Sequence, residues 1–416
     1  MSANPSGMPR AARTPGFRRL LAAGLLALGL SACSAVGYLL DNQGTFHTAA
    51  SVADLDGDGD LDVVTHVVRQ ESEFTAFGGA TLWFNDGHGR FTPATPPYDA
   101  NGGGWASAAA DTDADGSADL LTFQGYQLRL TTSVGGAQAA AFPPASIIPA
   151  PRRDGQYGTL RLGDVNGDGL VDAVVAGCCG RIFTLDAADR TPNFSWVWLN
   201  AQGAGQTAVL PALDGLALRD AALGDLDGDG DLDLFAAVIA PPEGANRDPR
   251  DRVLLNDGAG SFTDAGQRLG AADSTAVALG DVDGDGDLDA LVAHARGVDV
   301  WLNQGGTQGG RTGSFAQAAA GLPATAVQTL LLADLDGDGD PDALAGDRTE
   351  AAVWWNDGAG GWTRADLRIR YTKRHGLALL DVDGNGRIDV FAAAKDDYSV
   401  WFNHENGVFK STPPEQ

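Results

Sequence analysis

Short apolar runs recur along this 416-residue chain, among them Leu61-Asp-Val-Val-Thr65, Leu232-Asp-Leu-Phe-Ala236 and Leu288-Asp-Ala-Leu-Val-Ala293. Each reads as a strand buried on both faces, because apolar residues fill neighbouring positions instead of alternating with polar ones. Each follows the same nine-residue polar turn, Asp-x-(Asp/Asn)-x-(Asp/Asn)-Gly-x-x-Asp. Seven copies start at Asp54, Asp111, Asp164, Asp225, Asp281, Asp334 and Asp381, spaced 57, 53, 61, 56, 53 and 47 residues apart. That period suits one four-stranded blade per copy. The pattern predicts an all-β fold, a seven-bladed β-propeller with an acidic β-hairpin loop in each blade, and one domain despite a length that would usually suggest two or three.

Alternating carboxylates around a glycine turn are calcium chemistry, because Ca²⁺ takes six to eight oxygen ligands. In each loop, positions 1, 3, 5 and 9 supply side chains, position 7 its carbonyl, and the glycine at position 6 the turn. The expected ligands are Asp54, Asp56, Asp58, Asp60 and Asp62 in the first loop and Asp111, Asp113, Asp115, Ser117 and Asp119 in the second. Asp164, Asn166, Asp168, Leu170 and Asp172 follow in the third, and Asp225, Asp227, Asp229, Asp231 and Asp233 in the fourth. The fifth has Asp281, Asp283, Asp285, Asp287 and Asp289; the sixth Asp334, Asp336, Asp338, Asp340 and Asp342; the seventh Asp381, Asp383, Asn385, Arg387 and Asp389. An EF-hand would need Glu at position 12, where this chain has Thr65, Thr122, Val175, Ala236, Val292, Ala345 and Ala392. About seven structural Ca²⁺ are therefore expected.

A second signature follows each loop and strand, clearest in Trp83-Phe-Asn85-Asp86-Gly87-His-Gly89-Arg-Phe91, Leu255-Asn256-Asp257-Gly258-Ala-Gly260-Ser-Phe262 and Trp355-Asn356-Asp357-Gly358-Ala-Gly360-Gly-Trp362. Asn-Asp-Gly between apolar strands predicts a tight hairpin with positive φ at its two central residues, joining strands three and four. Blade two has Leu130-Thr-Thr-Ser-Val-Gly-Gly instead, and blade three Trp198-Leu-Asn200-Ala-Gln-Gly without a following Phe. Together the two motifs resemble the FG-GAP repeats of integrin α-subunit propellers and the related VCBS-type repeats of bacterial surface proteins. The resemblance covers residues 44–410, with 411–416 as a tail. Either terminus offers a closing strand: Asn42-Gln-Gly-Thr-Phe46 and Asn403-His-Glu-Asn-Gly407-Val-Phe409 carry the same pattern. The C-terminal strand is favoured, with the N-terminal copy as an edge cover.

Residues 1–32 read as a secretory signal: Arg10, Arg13, Arg18 and Arg19 precede the apolar stretch Leu20 to Leu30, which is short for a membrane span. Leu30-Ser31-Ala32-Cys33 resembles a bacterial lipobox, which implies cleavage before Cys33, lipidation of its thiol and a tether over 33–43. Ser34 after the cysteine implies the outer membrane in a Gram-negative cell, so the protein is expected to be lipid-anchored in the envelope. Cys178 and Cys179 are adjacent and have no other partner in an oxidising compartment. A vicinal disulfide and two packed thiols both remain open; zinc is disfavoured with two thiolates and no nearby His.

Removing residues 1–32 leaves 24 basic against 55 acidic residues, a net charge of −31. Thirty of those acids are loop aspartates, so seven Ca²⁺ would bring the charge to −17, which still disfavours nucleic acid and anionic membrane surfaces. At roughly millimolar calcium each site would contribute about 0.4 to 1.4 kcal/mol, summing to about 3 to 10 kcal/mol.

The face opposite the acidic loops is where integrin-type propellers engage partners, so the resemblance directs attention there. Its connections at Arg69 to Ala80, Gly177 to Ser195 and Ala240 to Asp251 read as long loops. Counting six or seven residues back from each loop start reaches the mouth of the axis, at His47, Trp105, Tyr157, Arg219, Thr275, Gln328 and His375. Arg152, Arg153, Tyr371, Lys373 and Arg374 add a basic spot. His47, Trp105, Tyr157, Arg219, Arg374 and His375 are the candidate ligand residues, suited to an acidic glycan or an acidic protein segment. No nucleophile elbow, phosphate loop, zinc helix or dinucleotide fingerprint is present. The expected function is a monomeric surface binding or adhesion module for a glycan or protein. The alternatives are a calcium-dependent polysaccharide lyase using His375 with Arg374, or His47, and a structural subunit of an envelope assembly.

Overall fold

The computed structural model describes residues 44–72, 75–94, 104–124, 127–133, 146–151, 156–178, 194–202, 204–239, 248, 250–270, 273–305, 310–319, 321–322, 325–347, 350–370, 376–394, 397–405 and 407–411. The signal and lipobox readings at 1–33, the thiol of Cys179, and Arg152, Arg153, Tyr371, Lys373, Arg374 and His375 lie outside them, as do 179–193 and 240–247. So do the tether 33–43 and residues 412–416 of the tail.

Seven four-stranded antiparallel sheets form, each from four consecutive strands: blades 1 to 7 span residues 44–94, 104–149, 156–209, 217–264, 274–318, 329–370 and 377–410. Strand one of each blade packs beside strand one of the next, and blade 7 returns to blade 1, so the innermost strands ring an axis. The strands read as buried on both faces are strand two of each blade: Leu234, Phe235 and Ala236 are all at 0% exposure, as are Val63 and Val64. Successive side chains point to opposite faces, so such a strand feeds two interfaces at once. Leu234 joins the apolar cluster toward blade 3 and Phe235 the cluster toward blade 5.

Seven apolar clusters fill the seven blade-to-blade interfaces. The ring closes through Trp83 and Phe91 of blade 1 against Phe391 and Tyr398 of blade 7, with ring centroids 4.7 to 5.8 Å apart. The Tyr398 hydroxyl also accepts the Phe91 N–H at 2.9 Å. Blade 7 takes its fourth strand, Phe409–Lys410, from the C-terminal segment. The N-terminal copy of the pattern is not an edge cover: Gly44, Thr45 and Phe46 begin strand one of blade 1, Gly44–Ala53, and pair with Gln70, Arg69 and Val68. Among the described residues no strand is exchanged between the termini, and an apolar cluster of both blades fills the last interface.

Residues 69–80 also depart from expectation. They are strand, not loop: strand two of blade 1, Asp62–Ser72, and strand three, Thr75–Asn85, run 11 residues each and pair almost to their tip. Strand two elsewhere has 5 to 7 residues. Among the described residues, strand two of blade 1 is therefore four to six residues longer than in the other blades, or about 13–20 Å at ~3.3 Å per residue, on the side away from the acidic loops. In blade 5 the same connection is a two-residue turn between His294 and Gly297.

Candidate metal centres and the opposite face

Each acidic loop joins strands one and two, and its position-9 aspartate begins strand two. These seven carboxylates are buried at 0% exposure: Asp62, Asp119, Asp172, Asp233, Asp289, Asp342 and Asp389. Each accepts one N–H from position 2 of its own loop and one from the end of strand three. In blade 4, Leu226 N–H donates to Asp233 Oδ2 at 2.9 Å and Asn256 N–H to Oδ1 at 2.7 Å. In blade 1 the donors are Leu55 and Asn85, both at 2.8 Å, and in blade 2 Thr112 at 3.0 Å and Ser133 at 2.8 Å. Burial pushes Asp62, Asp289 and Asp389 up to about 7 while these N–H groups pull them down. A carboxylate has about four acceptor sites, so each keeps capacity facing the loop.

Positions 1, 3 and 5 converge beside it. Carboxylate oxygens of Asp54, Asp56 and Asp58 lie within 4.8 Å of one another, as do those of Asp111, Asp113 and Asp115, of Asp225, Asp227 and Asp229, and of Asp281, Asp283 and Asp285. In blade 6 the convergent group is Asp334, Asp336 and the position-9 Asp342. The position-1 carboxylate is fixed by the turn, as Gly228 and Gly230 donate to Asp225 at 2.7 and 3.0 Å. At position 3, Oδ1 of Asp56, Asp227 and Asp383 is buried without a hydrogen-bond partner. Burial first, and the neighbouring Asp58, Asp115, Asp229 or Asp338 second, push Asp56, Asp113, Asp227 and Asp336 above the usual carboxylate range. Clustered hard oxygens with an unpartnered buried lone pair fit a divalent cation of the calcium type.

Position 4 needs a positive φ. Gly57, Gly167, Gly228, Gly284, Gly337 and Gly384 supply it, whereas blade 2 places Ala114 there at φ 61°. Thr112 of that loop compensates locally, donating both its N–H and its hydroxyl to Asp119 Oδ2.

The Asn-Asp-Gly signature forms a different turn from the one expected. Asn85 pairs with Phe91, leaving the five-residue loop 86–90 with positive φ at Gly87 and Gly89, not at Asp86. The aspartate instead accepts amides: Asp257 Oδ1 takes Ala259 and Ser261 N–H at 3.0 and 3.1 Å. The tight two-residue turn occurs in blade 3, where Ala201 pairs with Ala204 and Gln202 has φ 54°. These hairpins share the face of the acidic loops, since a Cβ on Gly87, Gly258 or Gly358 would collide with the position-7 carboxylate of Asp60, Asp231 or Asp340.

The asparagine has a role that the sequence alone did not disclose. Its Nδ2 donates to the position-2 carbonyl of the preceding blade's loop: Asn256 to Val165 at 2.7 Å, Asn303 to Leu226 at 2.9 Å, Asn356 to Val282 at 2.9 Å and Asn403 to Leu335 at 2.7 Å. Asn200 bonds Thr112 at 2.6 Å, and Asn85 closes the ring onto Val382 at 3.0 Å. Blade 2 has Ser133 there, with its hydroxyl buried and unpartnered. Its seam with blade 1 holds a small, alanine-rich cluster whose buried members include no aromatic residue.

On the opposite face, strand one carries a β-bulge in blades 1 to 5, at Thr48, Trp105, Gly158, Arg219 and Thr275, each six residues before its loop. His47, Trp105 and Tyr157 thus sit at or beside bulges. In blade 6 Gln328 only precedes the strand, donating its N–H to Gly346 at 2.8 Å. Arg219 is half-buried, and the adjacent Asp220 joins three blades by pairing with Arg161 of blade 3 and accepting Val277 N–H of blade 5 at 3.1 Å. Thr275 is structural, its hydroxyl donating at 2.6 Å to the carbonyl of Val327, two residues before blade 6 begins.

The family model of the FG-GAP-like repeat matches residues 225–292 and 281–345, which cover blades 4 and 5 and the opening of blade 6. With the same loop and sheet recurring in all seven blades, the chain is an FG-GAP-repeat β-propeller. No curated protein sequence matches it significantly. Among solved structures it is similar to the rhamnogalacturonan lyase YesW, with 12% identity over 89% of this chain and 73% of that one and a TM-score of 0.51. A rhamnogalacturonan lyase of Bacillus licheniformis matches with 14% identity, 88% and 72% coverage and a TM-score of 0.51. An Agrocybe aegerita lectin specific for non-reducing terminal N-acetylglucosamine matches with 20% identity, 89% and 79% coverage and a TM-score of 0.37. The likeness to the lyases is one of fold.

Proposed function

We propose that this protein is a calcium-stabilised binding module of the cell envelope, which holds one Ca²⁺ in each acidic loop and engages a glycan or protein ligand on the opposite face. The observation that carries the reading is the convergence of position 1, 3 and 5 carboxylates around a buried, unpartnered oxygen, repeated around one face of a closed ring. Calcium there neutralises charge and fixes the ring; it leaves the other face free for recognition. Bulges re-aim side chains and are over-represented next to functional sites, which favours the mouth of the axis, where strand one is bulged in blades 1 to 5. Lipidation at Cys33 supplies the anchor in this reading.

Two of the similar structures are lyases and one is a lectin, so the scaffold serves both kinds of task in those proteins. Binding is the reading adopted, because the lyase alternative rests chiefly on Arg374 and His375. The test is retention of calcium-loaded protein on immobilised neutral and acidic polysaccharides, with Arg219→Ala alongside. Retention that chelator abolishes and Arg219→Ala weakens is expected. Equal retention of the variant would remove this face, and release of unsaturated product would favour the lyase.

A further inference from the structure

The face that blade 2 turns toward blade 1 changes character along its height. Near the acidic loops it is apolar, with Ala109 and Leu120 in one cluster with Leu55, Val64 and Leu82 of blade 1. One row further from the loops it is polar. The register sets Ser107 of strand one, Thr122 of strand two, Arg129 of strand three and Ile147 of strand four side by side on that face. Thr131 lies two residues along strand three from Arg129, and so on the same face. Ser107 bonds across the seam, its hydroxyl 3.4 Å from His66 Nδ1.

The outer part of the row is unsatisfied. Thr122 and Thr131 are 6% and 1% exposed, and Oγ1 of each, like Nε of Arg129, is buried without a hydrogen-bond partner. Among the described residues no carboxylate pairs with the Arg129 guanidinium, in a chain whose 55 acidic residues outnumber its 28 basic ones. Blade 4 shows what a structural arginine does at this place. Arg252 stands opposite position 12 of its own loop, as Arg129 does, and donates to the carbonyls of Asp248 at 2.6 Å, Asp251 at 3.3 Å and Arg250. Buried polar groups are normally paired, and a guanidinium keeps both its charge and its fork of N–H donors. Arg129 as a whole is half-buried, so the row reaches solvent. Ile147 beside it is 53% exposed, the most exposed large apolar side chain among the described residues.

We propose that this row is an oxyanion site, in which the Arg129 fork takes the carboxylate of a ligand, the Thr122 and Thr131 hydroxyls donate to the same group, and the ligand's apolar part lies on Ile147. Residues directly opposite on neighbouring strands have Cβ atoms about 4.5–5.5 Å apart, so one carboxylate can touch both Thr122 and Arg129. The planar fork matches a carboxylate bidentately, which selects it over a spherical anion such as chloride. The site lies on strands two to four of one blade, outside the strands that ring the axis, and is therefore separate from the mouth of the axis.

The test is calorimetric titration of the calcium-loaded protein with sodium benzoate, sodium acetate and neutral benzamide at constant ionic strength. One benzoate should bind per chain with a dissociation constant on the order of 1 mM, an ordinary value for so small a ligand. Acetate lacks the apolar part and should bind about 10-fold more weakly, and benzamide, which lacks the charge, should not bind. Arg129→Met should weaken benzoate by about 10-fold or more, and Ile147→Ser should remove the preference for benzoate over acetate. Without benzoate, Arg129→Met should leave the urea midpoint unchanged or raise it, because no partner is lost. The proposal is overturned if benzoate does not bind, if benzamide binds equally well, or if Arg129→Met binds benzoate as before. A lower urea midpoint for Arg129→Met would overturn it too, by showing that the chain itself satisfies the guanidinium.

Discussion

Replacing Asn256 by alanine tests whether the asparagine of the second motif is a turn residue or a clamp between blades. Asn256 is 6% exposed and makes four side-chain hydrogen bonds. Its Nδ2 donates to Val165 at 2.7 Å and to Leu232 at 3.1 Å, while its Oδ1 accepts Asp257 and Gly260 N–H at 3.0 and 3.1 Å. Each bond contributes about 1 kcal/mol net, and the hairpin amides regain water when the side chain is lost, so Asn256→Ala should cost about 2–4 kcal/mol. Blade 2 provides the control within the same molecule. Ser133 stands at the equivalent position with an unpartnered hydroxyl, so Ser133→Ala should change stability by no more than about 0.5 kcal/mol in either direction. The assay is urea unfolding of both variants in saturating calcium, read as the shift in midpoint at constant slope. The clamp is refuted if Asn256→Ala is as mild as Ser133→Ala, or if Ser133→Ala costs 2 kcal/mol or more.

Three further outcomes follow from the same geometry. Ala114→Gly relieves a left-handed alanine and should stabilise by about 1 kcal/mol, so a lower urea midpoint would contradict the strain argument. Asp225→Ala deletes the carboxylate that anchors the fourth loop and should lower calcium stoichiometry by one in calorimetry, leaving the other sites intact; unchanged stoichiometry would exclude that loop as a site. Asp251, at 1% exposure, is pushed up to about 7 by burial, against the pull of Val238 N–H and the Ser274 hydroxyl. Between about pH 4 and 7 the unfolded chain has released this proton and the folded one retains it, so the group subtracts stability as pH rises. Asp251→Asn removes that slope, and the stability advantage of the native aspartate should shrink from pH 4.5 to pH 7.5; a constant or widening gap would show that Asp251 is ionised throughout.

Much of the architecture was legible because it is carried by local repetition. A nine-residue acidic turn followed by an apolar run fixes strand, turn and period within a dozen residues, and seven copies fix the blade number without reference to any distant contact. The conformation of position 4 was partly legible too, since glycine marks it in six loops and Ala114 betrays itself only through its φ. The hairpin differs from expectation because Asn-Asp-Gly has a strong meaning of its own as a two-residue turn, whereas here the asparagine belongs to the strand and a carbonyl of the preceding blade decides its role.

What the sequence by itself determined is the repeat: seven blades, their acidic loops, and strands buried on both faces. What only the tertiary structure decided is how the repeats are joined. Asn256 meets a carbonyl 91 residues away, and Asn85 meets one 297 residues away, so no local pattern distinguishes a clamp from a turn former. The length of strands two and three in blade 1, the bulges of strand one in blades 1 to 5 and the closure through Trp83 and Phe391 are likewise settled by register and packing between segments, which depend on the whole ring being closed.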